Sequence, residues 1–158
     1  MAIVFEGFTK CPLCNAVLDK TKEYILFPTF INNKKDALFI FSDNGMHIQC
    51  LDQHPLRKTA YLYLRKYNDY LQLLKSGFST SGEIIGNPAN MITFGLLTSD
   101  STEDLFRYNF LILDKATVGE WGLKSEFIAI VNLFNASGKW DGVGGFNYLD
   151  YLVNLVSS

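Results

Sequence analysis

Reactive side chains are few in this chain and closely placed. Three cysteines and two histidines are all it has. They fall as Cys11-Pro12-Leu13-Cys14, then His47-Ile48-Gln49-Cys50, with His54 just beyond. Thiolate sulfur and neutral imidazole nitrogen are both zinc ligands, and two pairs, each with two residues between its members, supply the four donors of a tetrahedral site. Cys11, Cys14, His47 and Cys50 form the expected set, and the expected cofactor is a structural Zn2+. His54 is the alternative to His47. On a helix, His47, Cys50 and His54 would share one face, but His54 precedes Pro55, which biases it away from helical geometry. Four protein ligands leave no open position for water or substrate, so no catalytic residue is expected. The competing reading is that the cysteines serve as small core side chains.

Each ligand needs an element to hold it. Residues 3–8 mix β-branched and aromatic types and read as a strand entering the first cysteine pair. Pro12 stiffens the turn between the ligands. Asn15, directly after Cys14, stands where a tight knuckle needs positive φ, which Gly and Asn tolerate best. Residues 16–18 form the return strand. Residues 24–31 and 37–41 are aromatic and β-branched, and Asn32-Asn33-Lys34-Lys35-Asp36 separates them as a turn, which predicts a hairpin. After the polar break Ser42-Asp43-Asn44-Gly45, a short helix is expected to carry His47 and Cys50, three apart and so facing the same way. Its N-terminus would also stabilise thiolate charge.

The clearest helix spans residues 56–75, where Ala60, Leu64, Tyr67, Leu71 and Leu74 form an apolar stripe. Tyr61, Tyr63, Tyr67 and Tyr70 read as packing along that stripe and its flanks. Ser76-Gly77 closes the helix, and the Ser/Thr/Gly run at 79–82 marks a domain boundary. Beyond it, residues 83–85, 91–98 and 106–113 read as strands. Thr117 and Glu120 have capping-box spacing. Phe127, Ile130, Val131 and Phe134 give a short amphipathic helix, and Leu149, Leu152, Val153 and Val156 a last one. The intervening loop, residues 138–145, lacks the spacing of a phosphate-binding loop and is expected to be a mobile surface segment, with Trp140 either an interface anchor or folded back on the core.

The fold class predicted is therefore α+β. Residues 1–76 form a zinc-knuckle, hairpin and helix module that includes the long helix, and residues 77–158 form a small unit of three strands and two helices. The two are expected to pack together, because the long helix must cover its apolar stripe.

Over residues 8–50, the knuckle Cys11-Pro12-x-Cys14 followed by His47 and Cys50 resembles a treble-clef zinc finger. That resemblance implies a knuckle, a β-hairpin and a helix whose first turn supplies the second ligand pair. Asn15 departs from it, since such knuckles commonly have Gly there. The stretch Phe8-Thr9-Lys10-Cys11-Pro12-Leu13-Cys14 also resembles the redox turn of glutaredoxins, which would imply a reactive thiolate at a helix N-terminus. That family further needs a parallel βαβ unit and a cis-proline loop, for which Phe27-Pro28-Thr29 is a poor stand-in. Nucleases of the HNH type use the treble-clef scaffold too, but with a histidine-rich metal site at the scissile phosphate, and this chain has two histidines in all.

Composition narrows the function classes. With 158 residues, 48% of them hydrophobic, the chain can bury one good core or two small ones. A formal net charge of −2 gives no basic excess for a nucleic-acid backbone. Its apolar runs are too short to cross a bilayer. The start, Met1 to Glu6, has no basic region of the signal-peptide kind, and the odd cysteine count suits reduced thiols, so a cytoplasmic location is expected. The function expected is a non-enzymatic, zinc-stabilised protein that binds another protein as an interaction partner or inhibitor. A bacterial toxin-immunity protein is one concrete version. The alternative is an enzyme, either a thiol-disulfide oxidoreductase at Cys11 and Cys14 or an HNH-like nuclease.

Overall fold

Regular structure begins at a knuckle that the backbone closes on itself. A computed structural model describes residues 3–5 and 7–158. Phe8 N and Thr9 N both donate to Phe5 O, so the described part of the expected strand at 3–8 is irregular chain and then turn; Glu6 lies outside the described residues. Lys10 and Val17 then bridge antiparallel, and Leu18 N donates to Thr9 O at 2.8 Å. The return strand expected at 16–18 is reduced to that bridge.

β1 (Tyr24–Leu26) pairs antiparallel with β2 (Gly45–His47), with Tyr24 opposite His47 and Leu26 opposite Gly45. β2 runs directly into α1 (Ile48–Gln53), and α2 (Arg57–Ser76) follows after Pro55. The hairpin expected between 24–31 and 37–41 is replaced by this pairing, and Phe39–Phe41 is a 3₁₀ turn. The reason lies in which side chains are buried. Phe27, Phe30, Ile31, Leu38 and Phe41 all enter the core, a spacing that no two-residue alternation produces. Without a sheet partner, the backbone there is satisfied by buried Ser42, whose hydroxyl accepts from Phe30 N and Ile31 N and donates to Ile31 O.

α2 matches the expected helix closely. Ala60, Tyr63 and Tyr70 are buried along it, and Leu64 and Tyr67 pack partly buried. Gly77 ends it at φ 76°, the left-handed cap that glycine adopts without a Cβ clash. Beyond it, β3 (Met91–Thr93) pairs antiparallel with β4 (Ile112–Asp114). Two strands stand where three were expected. Residues 83–85 contribute one isolated bridge, Ile84 to Phe78. Asp104–Tyr108 is a 3₁₀ segment, and Phe110 takes φ 61°, which breaks the strand and sets its ring 5.4 Å from that of Tyr70 on α2.

α3 (Lys124–Ala136) and α4 (Tyr148–Ser157) complete the fold. Thr117 makes no side-chain cap; a 3₁₀ turn at Val118–Glu120 intervenes, and α3 starts only after Leu123. α4 is capped by Asn147, whose side chain accepts from Leu149 N and Asp150 N. Among the described residues there are thus two two-stranded antiparallel sheets and four α-helices, an α+β fold.

The buried side chains form three clusters. One runs from Cys11 through Phe27, Phe41, Met46 and Leu51 to Tyr63, and takes in Leu96. Another joins Ile92, Phe94, Tyr108 and Val118 to α3 and α4. A small third one, Tyr70, Met91 and Ile112, lies between α2 and the β3–β4 pair. No helix among the described residues is long and apolar enough to cross a membrane.

Candidate metal centre

Three short pieces of chain bring the expected ligands together. The knuckle supplies Cys11 and Cys14. Asn15 N donates to Cys11 O and Cys11 N to Ala16 O, both at 2.8 Å, which folds the turn tightly round the two sulfurs. Asn15 holds φ 60°, the left-handed conformation that its place after Cys14 predicts. His47 is the last residue of β2 and the N-cap of α1, so it is not carried inside the helix as expected; Cys50 is in the first turn of α1. Gly45 lets β2 lie close to Leu18 and to Leu26 of β1: a Cβ there would come 2.7 Å from Leu18 Cδ1 and 2.9 Å from Leu26 Cδ2, so those leucine ends would have to shift.

The ligand atoms of Cys11, Cys14, His47 and Cys50 all lie within 4.8 Å of one another. His47 Nδ1 is 3.4 Å from Cys14 Sγ and 3.9 Å from Cys50 Sγ. Zinc bonds of about 2.0–2.3 Å imply tetrahedral edges of about 3.3–3.8 Å, so those separations are already close to what one shared ion requires. The His47 ring is buried and its Nε2 has no hydrogen-bond partner in the protein. Nδ1, facing the sulfurs, is the nitrogen placed to ligate, and Nε2 then carries the proton. His54 lies outside the group. It caps the end of α1 in extended geometry, accepts a hydrogen bond from Leu56 N through Nδ1, and stands edge-on to Phe41 at 5.1 Å.

Cys14 and Cys50 are shifted in opposite directions. The Ala16 backbone amide, then His47, pull the exposed Cys14 thiol down to about 7. Burial, and next the neighbouring Cys14 and Cys11 sulfurs, push Cys50 up to about 11. Repulsion among crowded thiolates opposes full ionisation, and a divalent cation at their centre would reverse that penalty. The donor set, three sulfurs and one imidazole, suits a soft or borderline ion such as zinc. With all four directions taken by protein, such a site would hold structure and leave no position for a reacting molecule.

Two features outside the cluster were not legible beforehand. Asn33, read as a turn residue, is 2% exposed. It donates to Lys139 O and accepts from Asp141 N, so it ties the 138–145 loop to the N-terminal half. Trp140 in that loop folds back, partly buried, against the C-terminal core. Next to it, Phe146, Tyr148 and Tyr151 form an aromatic group with ring centroids 5.8–6.4 Å apart, and Phe146 is 56% exposed. Three aromatics within six residues beside a glycine-rich loop was the available signal.

No family model matches the chain, and no curated protein or solved structure is significantly similar to it.

Proposed function

We propose that Cys11, Cys14, His47 and Cys50 hold one structural zinc ion in a treble-clef-like module, and that the protein is a non-enzymatic partner or inhibitor of another protein. The observation that carries the zinc reading is the convergence of four ligand atoms from the knuckle, β2 and α1 within 4.8 Å. The order knuckle, antiparallel pair, helix, with Cys50 in the first turn of α1, supports the treble-clef reading. Support for the binding role comes from the aromatic group at Phe146, Tyr148 and Tyr151, since partly exposed aromatics are favoured anchors at protein interfaces. A toxin-immunity protein remains the concrete version of this proposal.

Metal analysis of the purified chain tests the first half. One zinc per chain, with thiols that react only after chelation, is expected; a chain that neither carries nor takes up zinc rejects it. Co-purification with the products of neighbouring genes tests the second half. Retention of a partner that Phe146→Ala and Tyr151→Ala together release is expected, and unchanged retention rejects the aromatic face as the anchor.

One observation favours a second reading, thiol-disulfide exchange. Cys14 is exposed and its thiol is drawn down to about 7, as a reactive cysteine requires. The chain after Cys14 turns back through the Lys10–Val17 bridge, whereas a glutaredoxin turn leads into a helix. A metal-free protein whose Cys11–Cys14 pair cycles with glutathione would favour that enzyme over the binding protein.

A further inference from the structure

We propose that the metal centre is a peroxide-responsive site, in which Cys14 is oxidised first and is captured by Cys50, releasing the zinc; this rests on the structural-zinc reading above. The three sulfurs are not equivalent. Cys14 is exposed, Cys50 is half-buried and Cys11 is fully buried. An oxidant from solvent therefore meets Cys14 first, because oxidation follows access to the thiolate. Cys50 is placed to answer it. Cys14 and Cys50 lie against the same His47 nitrogen, at 3.4 and 3.9 Å, and their sulfurs are within 4.8 Å. Cys11, within the same 4.8 Å, is fully buried and shares with Cys14 the short turn that the Asn15 N to Cys11 O hydrogen bond closes.

The chemistry balances with hydrogen peroxide as the oxidant. The Cys14 thiolate attacks one peroxide oxygen, the O–O bond breaks, and a sulfenic acid and hydroxide form. The Cys50 thiolate then attacks the Cys14 sulfur, an S–S bond forms and a second hydroxide leaves. Two thiolates lose two electrons in total, peroxide gains them, and the zinc stays divalent. With two of its four ligands removed, the ion is held by Cys11 and His47 alone and dissociates, while the new bond keeps the knuckle tied to α1.

The test starts with metal analysis, so that failure of the zinc reading is seen before any oxidant is added. A chain without zinc at that stage overturns both ideas. Zinc-loaded protein is then titrated with hydrogen peroxide, released zinc is read with a chromogenic chelator, and the products are mapped as non-reduced peptides. One zinc released per peroxide consumed, a Cys14–Cys50 linkage, alkylatable Cys11, and recovery with dithiothreitol and zinc are expected. Cys14→Ser, if it loads zinc, should release it about tenfold more slowly; if it does not load, the wild-type peptide map decides. Zinc retained under excess peroxide, a Cys11–Cys14 linkage, or Cys14 driven to sulfinic acid without a disulfide would each overturn this inference and leave the structural zinc standing.

Discussion

The N-terminal and C-terminal cores solve the same problem with different materials. Around Phe27 and Phe41 the chain from residue 27 to residue 44 holds one 3₁₀ turn and isolated bridges, and among the described residues the ladder of this half is the three-residue pairing of β1 with β2. Phe27 and Phe41 lie with ring centroids 5.8 Å apart, and the buried Ser42 hydroxyl serves the backbone of Phe30 and Ile31 in place of a ladder. The C-terminal core instead interlocks rings between elements. Phe127 of α3 lies 5.0 Å from both Phe94 and Tyr108, and Trp121 stands edge-on to the same two. A core built from packed helices and rings supports itself. The N-terminal core also takes Leu51 from α1 and Ala60 and Tyr63 from α2, but its 27–44 stretch lacks a ladder of its own, and the four candidate ligands sit where the knuckle, β2 and α1 meet, so a cross-link there would add most.

The largest test of that contrast is metal removal. On the zinc proposal, chelation should abolish hydrogen-exchange protection in β1, β2 and α1 while α3 and α4 stay protected, an effect larger than any single substitution below, since metal binding is folding free energy in such modules. Equal loss in both cores would break the comparison. Next in size, Phe127→Ala should cost about 3–5 kcal/mol, read as a lower denaturant midpoint, with zinc content unchanged because Phe127 lies in the other core. Asn33→Ala should cost about 1–3 kcal/mol, because it leaves Lys139 O and Asp141 N without their partner; faster proteolysis within 138–145 is the specific readout. Asn147→Ala removes the α4 cap and should cost about 1 kcal/mol, visible as fraying of α4 alone. Smallest in energy is a thiol titration of the metal-free chain. Thiolate rises as pH passes the thiol's pKa, so alkylation of Cys14 should increase through about pH 7 while Cys50, pushed up to about 11, stays slow.

Much of the candidate metal centre was readable from the chain. Spacing named Cys11, Cys14 and Cys50 and left His47 with His54 as its alternative, because zinc chemistry constrains residue type and local geometry together. The positive φ of Asn15 followed from the same logic. Less readable was the path between the pairs. The aromatic and β-branched residues at 24–41 carry strong strand propensity, yet propensity reports fit to a half-buried pleat, and here the buried set, Phe27, Phe30, Ile31, Leu38 and Phe41, does not alternate. In the C-terminal half, Phe110 defeated the strand reading in the same way, by taking a left-handed conformation that packs its ring against α2.

Local chemistry was therefore legible in the sequence: the three cysteines of the candidate donor set, the long helix with Ala60, Leu64 and Tyr67 on its apolar stripe, the stop at Gly77, and the apolar faces of α3 and α4. Only tertiary structure decided which strand β2 would pair with, which histidine would face the sulfurs, and that Asn33 would hold a loop from the far end of the chain. Propensity and ligand spacing act over a few residues, whereas strand partners and buried polar contacts depend on which distant surfaces meet.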